Sequence, residues 1–252
     1  DETACVYFEN PNYFGVIEDQ IEAVIQKVHE HKGVAIAGVD FSSLALIEAP
    51  GNYGADIAVG EGQVIGGSPL SFGGPLVGVF AMKFDRKWTR QMPGRIVGLT
   101  KTIDGKERAF VNTLQTREQH IKRERATSNI CSNQALNALS VAIHLALLGP
   151  QGLKEIAESM YFNAHYLVKE LEKVGIKRVF TGEFFNTFVA ELKIPKSEIE
   201  DFNQFALTHK ILPGIVHSFK DEHYDLIITT SYLLQKADLD ALVEMINLWR
   251  RK

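Results

Sequence analysis

Residues 60 to 75 hold the densest pattern with chemical potential: six glycines, Gly60, Gly62, Gly66, Gly67, Gly73 and Gly74, interleaved with Glu61, Gln63 and Ser71. Such a loop can turn backbone N–H groups toward a phosphate. It has no Gly-Lys-Ser or Gly-Lys-Thr, which excludes the P-loop pattern. Without a lysine, the residues favour a tight inter-subunit loop. Arg90 and Arg95 flank Pro93-Gly94. Their guanidinium forks suit a carboxylate or phosphate, and equally a surface or interface ion pair. Arg117, His120, Lys122, Arg123 and Arg125 fall on a charged helix predicted over Gln115 to Arg125, with Glu118 and Lys122 four apart in the favourable order. Such a face is ordinarily solvated, and it would steer an acidic partner. His29 and His31 sit near a helix end and read as solvent-facing. His209, His217 and His223 are too scattered to predict a metal site. Cys131 opens an apolar helix with no histidine nearby, so it reads as a buried thiol rather than a nucleophile.

These residues need a scaffold, and the first half supplies alternating strands and helices. Ala4 to Phe8, Val34 to Ala37, Ile57 to Val59 and Val77 to Ala81 are short apolar runs suited to buried strands. Ile17, Ile21, Val24, Ile25 and Val28 recur at helical spacing, with Gly33 placed as a C-cap glycine. Strand, helix and strand at this spacing predict a mostly parallel sheet, whose ligands gather beyond the strand ends. Further on, Leu136, Leu139, Ile143 and Leu147 predict a core-facing helix closed by Gly149-Pro150. A second helix over Leu153 to Val174 is stopped by Gly175. Thr187 to Leu192 and Leu226 to Thr229 are strand candidates. Leu239, Leu242, Met245, Ile246 and Trp249 mark a terminal helix.

The chain has 252 residues, net charge -4, 45% apolar residues and two distant cysteines. That balance argues against a nucleic-acid footprint and fits a reducing, cytoplasmic setting. No run reads as long enough to span a membrane. The start at Asp-Glu-Thr-Ala suggests a fragment whose N-terminal part is missing.

Six strings carry more information than periodicity. They are Pro11-Asn12-Tyr13-Phe14-Gly15, Gly54-Ala55-Asp56-Ile57, Pro69 to Pro75, Arg90 to Arg95, Leu114 to Ile121, and Ala126 to Cys131. In this order they resemble the glycine decarboxylase (P-protein) family of the glycine cleavage system, in its two-subunit form. The resemblance is strong to about residue 160 and looser beyond.

The resemblance implies an α/β, fold-type-I architecture, as in pyridoxal-phosphate (PLP) transferases. Residues 1–148 would be the C-terminal part of a large domain with a parallel-rich sheet, and 149–252 a small α+β domain. It implies decarboxylation of glycine on PLP, with transfer of the aminomethyl group to a lipoylated H-protein. Related catalytic chains carry a His-Lys pair after the Gly-Ala-Asp-Ile strand, and here Gln63-Val64 stands in its place. The next lysine is Lys83. The resemblance therefore implies that PLP is carried by a partner, subunit 2, in a heterotetramer, with no catalytic residue and no covalent cofactor on this chain. Asp40 would be the vestige of the acid that pairs the pyridine nitrogen, or a residue that orders its loop. Ser71, Gly73, Gly74, Arg95, Arg117, His120 and Asn129 become candidates for the interface or substrate path. A cofactor held on Lys83 and a purely assembling role are the competing expectations. Neither metal, membrane nor nucleic acid is implied.

Overall fold

A computed structural model describes residues 2–65, 76–92, 94–127, 134–220 and 223–251. It divides into two compact units, one of residues 1–81 with 137–252 and one of residues 82–136.

The first unit opens with β1 (Cys5–Glu9), α1 (Ile21–Glu30), β2 (Val34–Val39), β3 (Ile57–Glu61) and β4 (Gly78–Met82). The sheet order is β1-β2-β3-β4, and β1 to β3 run parallel, with Tyr7 opposite Ile36 and Ala37 opposite Ala58. The expected strands are thus present. Ile21 and Ile25 of α1 bury against Ala35, Ala37, Val39 and Ala55. Small residues on β2 let the helix lie close to the sheet.

Two local expectations change. Ile17 precedes α1 and instead donates its N–H to the Glu183 carbonyl at 2.8 Å. The left-handed residue after α1 is Lys32 (φ 59°), not Gly33. Gly33 donates its N–H back to the Val28 carbonyl at 2.9 Å.

The second unit contains α2 (Arg86–Thr89), the antiparallel hairpin β5 (Ile96–Lys101) and β6 (Arg108–Thr113), and α3 (Gln119–Lys122). The continuous helix expected over 115–125 is replaced by two 3-10 turns flanking the short α3. Leu114 and Arg123 adopt positive φ, at 57° and 51°. A helix cannot run through such residues.

The chain then enters α4 (Ala135–Lys173), which breaks at Gly149 (φ 61°, ψ -177°), a conformation open essentially to glycine alone. The break falls where the sequence placed it, but helical geometry resumes at once. Two apolar segments are thereby joined, and by length and composition alone α4 is long and apolar enough to cross a membrane. This corrects the expectation that no run is long enough. The stripe of its first half is not core either. Leu136 is 79% and Leu147 81% exposed, and Leu139 and Ile143 are exposed too. Periodicity placed these residues on one face, and no described residue covers that face.

The second half of α4 packs with β7 (Thr187–Pro195), α5 (Ile199–Thr208), β8 (Ile215–Lys220), β9 (His223–Thr229) and α6 (Lys236–Trp249). The sheet order is β7-β9-β8, all antiparallel. Leu167, Leu171, Phe188, Phe202, Leu226 and Met245 form its core. A loop ties this region to the first sheet. Gly15 (φ +86°) passes so close to β7 that a Cβ there would lie 1.8 Å from the Thr187 carbonyl oxygen.

Candidate functional site

The carboxyl ends of β2 and β3 bring Asp40 and Glu61 to one cavity of about 690 Å³, shared with Tyr7, Glu9, Val64 and Phe80. Asp40 is held locally. Its Oδ1 accepts hydrogen bonds from the Ser42 backbone N–H at 2.8 Å and the Ser42 hydroxyl at 2.6 Å. Its carbonyl accepts the Ser43 hydroxyl at 2.7 Å. These bonds order the turn after β2. Across the cavity lining, the Tyr7 hydroxyl donates to Glu9 at 2.8 Å. Burial first, then that hydrogen bond and the Glu9 charge, hold the Tyr7 phenol above its ordinary range.

After β3, Gln63 is 9% exposed. Its Nε2 donates to the Glu61 carboxylate at 2.7 Å and its Oε1 accepts the Val77 N–H at 3.2 Å. The Gly62 N–H donates to the Val77 carbonyl at 2.7 Å. The position after the Gly-Ala-Asp-Ile strand is thus built into a clamp on the residues leading to β4. Among the described residues, the cavity lining carries three carboxylates, Glu9, Asp40 and Glu61, and no lysine, arginine or histidine. A phosphate brought to that lining would meet like charge.

The Gly-Ala-Asp-Ile string has its own anchor. Asp56 Oδ2 accepts the Ala35 backbone N–H at 2.9 Å and contacts His29 Nε2 at 2.7 Å. His29 is therefore engaged rather than simply solvated, because α1 ends directly above the start of β3. Sequence spacing does not reveal the pair, since the two residues are 27 apart.

In the unit of residues 82–136, Arg117 turns inward instead of joining a solvated face. Its guanidinium donates to the carbonyls of Met92 and Gly94, the latter at 2.5 Å. Its Nε is buried without a partner among the described residues. Arg95 and His120 meet on a separate cavity of about 320 Å³ with Asn112, Thr113, Gln115 and Glu118. Glu118 is only 6% exposed. It was legible only as a partner for Lys122, and burial gives it a different place.

Ser71, Gly73, Gly74 and Asn129, and with them Cys131, lie outside the described residues. His217 packs tilted against Phe14 and edge-on against Phe219. His209 contacts the Phe205 carbonyl through Nδ1 at 2.9 Å. Among the described residues no group of three or more His, Cys, Asp or Glu is arranged to hold a metal.

Comparison with known proteins places this geometry. A family model for the glycine cleavage system P-protein matches residues 1–246. Probable glycine dehydrogenase (decarboxylating) subunit 1 of Thermococcus kodakarensis is 51% identical over 198 residues, covering 79% of this chain and 43% of that protein. The protein of the same description from Carboxydothermus hydrogenoformans is 45% identical over 249 residues, covering 98% of this chain and 54% of the relative. The chain thus spans about half the length of the curated relatives it matches. Among solved structures, an inhibitor-bound glycine decarboxylase (P-protein) of the glycine cleavage system superposes with a TM-score of 0.88 at 36% identity, over 98% of this chain and 55% of the other. A NifS-like protein from Rickettsia africae, with a TM-score of 0.66 at 15% identity, shares the fold alone. The architecture is that of fold-type-I PLP enzymes, and the chain belongs to the glycine cleavage system P-protein family.

Proposed function

We propose that this chain is the part of a two-subunit glycine dehydrogenase (decarboxylating) that lacks the Schiff-base lysine, and that it supports a partner subunit which carries PLP. The observation that carries this reading is the Gln63 clamp. Where related catalytic chains present a cofactor-anchoring lysine, Gln63 spends its amide on Glu61 and on the Val77 backbone. The acidic lining around Asp40 and Glu61 supports the same reading, because a phosphate would meet three carboxylates there.

In this reading PLP on the partner supplies the electron sink for the carbanion left as CO2 departs. The aminomethyl group then passes to the lipoylated H-protein. This chain contributes shape and charge. Residues 1–148 complete a large domain, residues 149–252 form the small one, and the assembly is a cytoplasmic heterotetramer. Ser71, Gly73, Gly74 and Asn129 remain candidates for the shared interface.

Reconstitution tests this directly. The chain is combined with its lysine-bearing partner, PLP, H-protein and carboxyl-labelled glycine, and labelled CO2 is counted. Release is expected only from the mixture. Each subunit is also treated with PLP and borohydride. Label on Lys83 of this chain, or CO2 release by this chain alone, would overturn the division of labour.

A further inference from the structure

The cavity of about 320 Å³ in the unit of residues 82–136 is polar throughout its described lining. Two of its side chains are committed to the hairpin. The Thr113 hydroxyl donates to the Ile96 carbonyl at 3.1 Å, and the Gln115 amide donates to the Asn112 carbonyl at 3.2 Å. They serve as fixed walls.

Glu118 differs. The residue lines the cavity and is only 6% exposed, and its carboxylate has no side-chain hydrogen bond or ion pair among the described residues. A carboxylate at the wall of such a cavity is placed to pair with an incoming cationic group. Arg95 and His120 line the same cavity but are exposed. They offer a guanidinium fork and an imidazole to an incoming anion. The turn that carries Arg95 is pinned by Arg117, which also fixes the backbone leading into Glu118. The backbone on either side of the cavity is therefore tied together through Arg117.

We infer that this cavity binds a small α-amino acid as its zwitterion, with the ammonium on Glu118 and the carboxylate on Arg95 and His120. The volume equals that of about ten waters, ample for such a molecule with its hydration. The site goes beyond the catalytic reading above. Only the choice of glycine as first probe rests on that reading.

The test is a ligand-observed NMR titration of the chain with glycine, acetate and methylamine at neutral pH. Saturable glycine binding is expected, with acetate and methylamine each at least tenfold weaker. Arg95→Gln, at an exposed residue, should weaken glycine at least tenfold with no change in thermal midpoint. Glu118→Gln should do likewise, with circular dichroism verifying its fold. Acetate binding as tightly as glycine would reduce the cavity to an anion site and overturn the inference. So would unchanged glycine binding in Arg95→Gln, or no saturable binding at all. The two readings fail separately. Glycine binding here with no CO2 release from the assembled complex would leave this site standing and remove the catalytic reading. CO2 release with no glycine binding on this chain would do the reverse.

Discussion

Replacing Asp56 tests how the Gly-Ala-Asp-Ile string is fixed. The Asp56 carboxylate serves two groups at once, the Ala35 N–H at 2.9 Å and His29 Nε2 at 2.7 Å. Ala35 is fully buried in the middle of the parallel sheet. In Asp56→Ala its N–H loses this acceptor, which costs about 1–3 kcal/mol. The contact with His29 adds about 0.2–1 kcal/mol, discounted because His29 is partly exposed. The sum is roughly 1–4 kcal/mol, or about 2–16 °C in thermal midpoint for a chain of this size. Asp56→Asn keeps an acceptor oxygen for Ala35 and should lose only about 1 kcal/mol. His29→Ala removes the outer contact alone and should lose no more than that. Urea unfolding followed by circular dichroism, with the denaturant slope unchanged across the set, measures all three. If Asp56→Ala falls within about 0.5 kcal/mol of the parent, or His29→Ala costs as much as Asp56→Ala, the backbone contact is not what holds β3.

Three further outcomes follow from the same geometry. Gly15→Ala places a methyl group 1.8 Å from the Thr187 carbonyl oxygen at φ +86°; a loss of at least about 2 kcal/mol is expected, with a change in the near-ultraviolet dichroism of the Phe14, Phe180 and Phe219 cluster. His165 is stacked between Tyr161 and Phe184, and burial, partly offset by its hydrogen bond to the Phe184 carbonyl, holds its pKa below the usual 6.5. The unfolded chain therefore takes up the proton first, so its contribution is fully present above about 6.5 and fades as pH falls toward the folded value; His165→Phe should flatten the change in urea midpoint between pH 5.5 and 7.5. Arg117→Lys replaces a fork by a single ammonium, which cannot span the Met92 and Gly94 carbonyls as the guanidinium does. Faster hydrogen exchange at the Arg95 and Ile96 amides should report the loosened turn.

The parallel strands and α1 were legible because continuous apolar runs and a 3.6-residue period are imposed by the core they enter. The β5–β6 hairpin was missed although Asp104-Gly105, with Gly105 at φ +74°, is a turn signal. Its strands put Leu99 opposite Phe110 on an exposed face, so no buried alternation announced them. The run from Gln115 to Arg125 looked helical by charge spacing, yet Leu114 and Arg123 take positive φ against their own preference and break it. At the sites, residue type pointed to Arg95 and His120, which share one cavity. Asp40 shows the loop-ordering bonds that formed one of its two expectations. Glu118 was read only as a partner for Lys122 and Gln63 only by its position, because the places that burial gives them are reported by neither type nor spacing. The solvated reading of Arg117 failed for the same reason.

The bare aliphatic row on the first half of α4 also governs how the purified polypeptide behaves in a tube. Leu136, Leu139, Ile143 and Leu147 order water along about three helical turns. Releasing that water is entropically driven, so two molecules meeting along this row gain more on warming and less in the cold. Preparations kept dilute and chilled will stay dispersed, while concentrated, warm ones will drift toward larger particles.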